Sequence, residues 1–191
     1  MPVRFEQTEL EGVVLCIPEV IRDARGLFME SYHAAKYMDG GVRAVFVQDN
    51  RSCSSCGVLR GLHFQLHKPQ AKLISCIRGE IYDVAVDVRR GSPTFGNWSA
   101  AVLSDENHHQ LFIPCGFAHG FCVLTEVAEI VYKCSEFYDP RDDFGVRWND
   151  PALGIGWPVV EPVLSAKDAS LPFLREMADV QLPAYVKTRG E

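Results

Sequence analysis

Leu73-Ile-Ser-Cys-Ile-Arg-Gly-Glu-Ile-Tyr-Asp-Val-Ala-Val-Asp-Val88 reads as two short strands flanking a turn at Arg78-Gly79-Glu80, a hairpin with Gly inside it. Alternation divides the second strand into two faces. Tyr82, Val84, Val86 and Val88 share one; Ile81, Asp83, Ala85 and Asp87 share the other. One face must look inward. If the acidic one does, the interior holds a polar cavity rather than a uniformly dry core.

Outward from that stretch the same signals recur. Val13–Ile17, Arg43–Gln48, Trp98–Leu103, Gln110–Ile113, Gly120–Leu124 and Glu129–Phe137 read as further strands. Gly, Pro, Asn and Asp cut them at close spacing, which predicts an all-β sandwich or barrel. A helical patch over Tyr32–Met38 ends at Asp39-Gly40-Gly41. Residues from Asp139 to Trp157 read as loop. A C-terminal helix is predicted over Ala169–Met177, with Ser165 as N-cap, and a loose tail from about Pro183. A length of 191 residues fits a single domain over residues 1–191.

The chain has 191 residues, 47% hydrophobic and 23% charged, enough for a substantial core without disulfides or metals. A net charge of −6 argues against general nucleic-acid binding. No apolar run approaches the roughly 20 residues that span a bilayer, and the N-terminus lacks a signal-peptide stretch. The expected location is cytoplasmic, with the seven cysteines as free thiols, several of them buried. Cys53-Ser-Ser-Cys56 has redox or half-zinc spacing, but no second such pair follows. His108 and His109 read as a solvated turn.

Chemistry-bearing residues concentrate in Gln48-Asp49-Asn50, Val58-Leu-Arg-Gly-Leu-His-Phe-Gln65 and Lys72. Alternation puts Gly61, His63 and Gln65 on one face, away from Leu62 and Phe64. It puts Arg60 opposite His63, unless a bulge at Gly61 turns the strand. In Ile113-Pro-Cys-Gly-Phe-Ala-His-Gly-Phe121, glycines flank His119 and permit close backbone approach.

These segments resemble the dTDP-4-dehydrorhamnose 3,5-epimerase family. So do Asp23–Glu30, Gly79–Asp87, Gly91–Gly96, Tyr132-Lys133, Trp148–Pro151 and Leu164–Asp168. The resemblance runs from about residue 4 to about 175. It implies a cupin-type jelly roll with short peripheral helices and a C-terminal helical segment. It implies a cofactor-free isomerase that inverts carbons 3 and 5 of a dTDP-linked 4-keto-6-deoxy sugar. By resemblance, His63 is the base, Asp168 its partner, Lys72 the enolate stabiliser and Tyr132 the acid. Substrate contacts are implied at Arg60, His119, Gln48, Asp49, Asn50 and Lys167. Tyr138 would stack on thymine, and Asp83 would stand behind the site. A contact is also implied at position 143, where this chain has Asp in place of the family's Glu. Arg25, Phe28 and Glu30 match a segment lent to the partner subunit, which implies a homodimer with exchanged N-terminal segments.

Other readings differ in what they require. A metal-dependent cupin needs a His-x-His pair, an acid and a later histidine. Here the pair is His63-Phe-Gln65, and Lys72 would put a positive charge beside the metal, so no metal is expected. A binding module would not need a matched base and acid. A mono-epimerase acting on carbon 3 or 5 alone would keep the same residues.

Overall fold

The computed structural model describes residues 1–186. The strands are β1 (Val3–Gln7), β2 (Val14–Pro18), β3 (Val20–Asp23), β4 (Gly26–Met29), β5 (Gln48–Ser55), β6 (Leu59–Gln65) and β7 (Lys72–Arg78). They continue as β8 (Glu80–Asp87), β9 (Trp98–Ser104), β10 (Gln110–Ile113), β11 (Phe117–Val123), β12 (Val127–Cys134) and β13 (Asp143–Gly145). Two short helices, α1 (Ala34–Asp39) and α2 (Ala166–Ala169), lie outside them. The strands form a six-stranded sheet, β1-β2-β10-β7-β12-β5, and a five-stranded sheet, β13-β6-β11-β8-β9. Their pairings are antiparallel. A separate ribbon holds β3 and β4. This all-β, two-sheet arrangement is the cupin-like architecture expected from the sequence.

Both faces of β8 are buried, for different reasons. Ile81 and Ala85 enter the core between the sheets, with Ile74, Leu111, Phe117, Phe121 and Ile130. Val84, Val86 and Val88 face outward, where Leu153, Leu174 and Leu182 of the C-terminal segment cover them. The inward face is therefore the acidic one, but its two acids diverge. Asp83 pairs with His119. Asp87 instead closes a loop, accepting bonds from Arg89, Ser92 and Thr94. A third cluster, with Tyr37, Val42 and Phe112, seals the outside of the six-stranded sheet under α1.

Five sequence expectations change. The stretch from Asp139 to Trp157, expected as loop, holds β13 (Asp143–Gly145), which pairs with β6. The two strands around Gly79 do not form a hairpin. β7 pairs with β10 and β12, and β8 with β11 and β9, so the turn is a corner between sheets. Gly79 has φ +72°, and a Cβ there would lie 2.2 Å from the Val127 carbonyl oxygen. Residues 43–47 are irregular, and the strand begins at Gln48. The helix expected over Ala169–Met177 is absent. One turn forms at Ala166–Ala169 and a 3-10 turn at Leu174–Glu176. Pro172 lies between them, lacking an N–H and disfavouring helix at Leu171. The Ser165 cap is as expected, accepting the Asp168 N–H at 3.0 Å. The tail is docked over its first residues: Pro183 and Tyr185 exchange backbone bonds with Arg90. Its remainder, 187–191, lies outside the described residues.

Candidate active site

Where β6 crosses β11, the register shifts. His63 faces His119 and Arg60 faces Phe121, so three steps on β6 match two on β11. That is a bulge of one residue at Gly61. Gly61 has φ +116°, and a Cβ would meet the His119 carbonyl oxygen and Gly120 Cα at 2.6 Å. The bulge brings Arg60 and His63 onto the same cavity despite their odd spacing.

The cavity opens between the sheets. Its larger lobe, about 450 Å³, is lined by Arg60, His63, Lys72, His119, Tyr132, Lys167 and Asp168 among others. A smaller lobe, about 220 Å³, shares His63, Lys72 and Tyr132 and adds Gln48, Asn50, Gln65, Tyr138 and Asp143. His63 stands on the five-stranded sheet, and Tyr132 and Lys72 on the six-stranded one. A ligand between them would meet an imidazole on one wall and a phenol on the other.

His63 Nε2 lies 2.6 Å from Asp168 Oδ1. Burial alone would raise the Asp168 carboxyl, but bonds from His63, Ser165 and Gly61 overcome it and hold the pKa below its ordinary value. An ionised Asp168 accepts, so Nε2 is the donating nitrogen, and in the neutral tautomer that fits this bond Nδ1 keeps its lone pair. Burial lowers the Lys72 pKa, a pull only partly offset by Cys134, Asp143 and Asp83. Burial raises that of Tyr132, with Cys134 adding to it. Tyr132 therefore holds its proton at neutral pH. His119 Nε2 lies 2.7 Å from Asp83 Oδ1, with Asp83 fully buried behind the histidine that lines the cavity. Among the described residues nothing donates to Asp83 Oδ2.

Not every expected residue reaches this cavity. Asp49 points to the other side of β5 and pairs with Lys133 at 3.1 Å. Glu30 pairs with Lys36 at 2.7 Å. Arg25 and Phe28 stand on the β3–β4 ribbon, where the Phe28 residue is 67% exposed, away from this chain's own cavity. Gln65 carried no assigned role, yet it organises the rim. It donates to the Lys68 and Phe137 carbonyls and accepts from the Asp139 N–H. Its place beside Gly61 and His63 in the alternation, at the end of the Val58–Gln65 motif, marks it without giving it a role. All seven cysteines are free; Cys53, Cys56 and Cys115 are exposed and the other four buried.

The family model for dTDP-4-dehydrorhamnose 3,5-epimerase matches residues 7–176, from β1 past α2, and so includes every residue of the cavity. The chain belongs to the dTDP-4-dehydrorhamnose 3,5-epimerase family. A dTDP-4-dehydrorhamnose 3,5-epimerase of Methanothermobacter thermautotrophicus is 51% identical over 176 residues, 91% of this chain and 95% of that one. A dTDP-4-dehydrorhamnose 3-epimerase of Streptomyces niveus is 39% identical, over 96% of this chain and 90% of its own. Among solved structures, a Legionella pneumophila dTDP-6-deoxy-D-glucose-3,5-epimerase in complex with dTDP-4-keto-L-rhamnose matches with TM-score 0.94 and 45% identity. It covers 97% of this chain and 100% of its own. Membership in this epimerase family makes the chain an enzyme of the isomerase class.

Proposed function

We propose that this enzyme inverts carbons 3 and 5 of dTDP-4-dehydro-6-deoxy-D-glucose, giving dTDP-4-dehydro-L-rhamnose. The observation that carries this reading is the pairing of His63–Asp168 on one wall with Tyr132 on the other. Carbons 3 and 5 both flank the ketone at carbon 4, so their protons are acidic. Removing one leaves an enolate, and returning a proton to the other face inverts the carbon. The reaction is redox-neutral.

His63 Nδ1 takes the proton, and Asp168 stabilises the imidazolium that forms. The Lys72 ammonium faces the charge that develops on the carbonyl oxygen. Tyr132 supplies the proton from the opposite side, and exchange with solvent returns both groups to their starting protonation before the second carbon inverts. Arg60, His119 and Lys167 bring positive or polar groups for the diphosphate and sugar. Gln48, Asn50 and Tyr138 form the smaller lobe.

The active form is a homodimer that exchanges its β3–β4 ribbon. Ile21, Leu27 and Phe28 are large apolar residues exposed on it, and Arg25 lies beside them. Such a surface suits insertion beside a partner's cavity. A cytoplasmic site of action fits the seven free cysteines. Among the described residues no helix is long and apolar enough to cross a membrane.

The test is proton NMR of the substrate with purified protein in D2O. Deuterium at both carbons, with the L-configured product trapped by a downstream reductase, is the expected result. Label at one carbon alone would make the protein a mono-epimerase. Label at neither would overturn the epimerase reading.

A further inference from the structure

Tyr138 and Lys167 come from distant parts of the chain and end on the same oxygen. The Tyr138 hydroxyl donates to Asp143 Oδ2 at 2.8 Å. The Lys167 ammonium donates to the same atom. The Asp143 side chain is 13% exposed and that of Lys167 45%, so the carboxylate is the sheltered partner.

Each member is braced from behind. The Tyr138 N–H donates to Gln48 Oε1 at 3.0 Å. Gln65 holds its neighbours, donating to the Phe137 carbonyl and accepting the Asp139 N–H. Asp143 lies in β13 opposite Gln65. The preceding residue, Asp142, is buried and accepts the N–H groups of Leu66, His67 and Lys68. Lys167 sits in α2 beside Asp168, whose bond to His63 fixes that turn. The bend at Asp142 sends that side chain into this cage, while Asp143, the first residue of β13, lines the cavity.

A carboxylate repels an anionic diphosphate, so Asp143 is a poor direct contact for one. Its Oδ2 is already engaged within the protein, by the two side chains that such a ligand would meet. The bond from Asp143, followed by burial, pushes the Tyr138 phenol up to about 12, which keeps its proton available for that bond at neutral pH.

We propose that Asp143 is a positioning residue, which fixes the Tyr138 ring and the Lys167 ammonium before a nucleoside diphosphate arrives and does not itself touch the nucleotide. The nucleotide class rests on the dTDP-sugar reading above. Ordering two rotamer-rich side chains in advance removes a cost otherwise met at binding. The pair with Lys167 is partly exposed, which limits its share.

The test is calorimetric binding of dTDP and steady-state kinetics for Asp143→Ala, Tyr138→Phe, the double variant and Asp143→Glu. Each variant is checked by circular dichroism and unfolding midpoint. Asp143→Ala is expected to weaken dTDP binding about 5- to 30-fold. It should raise KM more than it lowers kcat. Tyr138→Phe keeps the ring and loses only the anchor, so its effect should be smaller. It should vanish in the Asp143→Ala background, because both changes break one unit. Asp143→Glu can still reach both partners and should recover most of the affinity. If Asp143→Ala does not fold, Asp143→Asn takes its place, with Tyr138→Phe as before.

Additive effects would overturn the proposal, since they would mean that Asp143 meets the nucleotide independently. So would tighter dTDP binding in Asp143→Ala, which would make the carboxylate a competitor for Lys167. A loss of kcat with KM unchanged would also overturn it. Wild-type protein that binds dTDP with this coupling but exchanges no deuterium would sink the epimerase reading and leave the anchor standing.

Discussion

At His63 one bond sets both tautomer and reactivity. Asp168 accepts the hydrogen bond of Nε2–H, which in the neutral imidazole leaves Nδ1 free. The flanking Leu62 and Phe64 are buried, so the ring has a rigid base. If His63 is the general base, His63→Ala should lower turnover by about 10²–10⁴. Steady-state rates with the trapped product measure this. Turnover near that of wild type would remove His63 from the mechanism. Gln65, two residues on, shows why residue type alone misleads. It has no titrating group, yet it ties together the loop that carries Tyr138.

At the scale of elements, the bulge in β6 decides the site. Regular alternation would turn Arg60 away from His63; the extra residue restores both to the cavity. Gly61 tolerates the bulge because its φ is +116° and the β11 backbone passes within van der Waals range of where a side chain would begin. Gly61→Ala should therefore destabilise the fold by about 2–4 kcal/mol, through strain and backbone displacement. The urea midpoint reports this, and a change below about 0.5 kcal/mol would show that β11 yields easily.

At the scale of the molecule, acid sensitivity and assembly follow from groups far apart in the chain. Burial alone would raise Asp87, Asp142 and Asp168, but their donors overcome it and leave all three below the ordinary value of 3.8. Their stabilisation is fully present above that unfolded-state value and is lost as pH falls through the lower folded values. The urea midpoint should change little from these groups between about pH 5 and 8, then drop below about pH 4. Asp87→Asn should flatten the drop, and an unchanged slope would show that Asp87 titrates alike in both states. For the proposed exchange of the ribbon, Phe28→Asp should shift sedimentation from dimer to monomer and lower activity with it. A dimer that persists with full activity would place the interface elsewhere.

The sequence by itself determined the all-β class, because alternation and turn residues are local. It also carried the family motifs, and with them His63, Tyr132, Lys72 and Asp168, which line the cavity. The Ser165 cap was legible for the same reason, since a cap bonds within its own turn. Tertiary structure decided which strands share a sheet. The Arg78-Gly79-Glu80 turn looks like a hairpin locally, and only pairing with β9, β10, β11 and β12 makes it a corner. Tertiary structure also separated Asp83 from Asp87, which share one face of one strand, by giving one a histidine and the other a loop to close. The junction of Tyr138, Asp143 and Lys167 has no local pattern at all. It exists because distant segments meet at one oxygen, and hydrogen-bond partners across such distances are fixed by packing rather than by spacing.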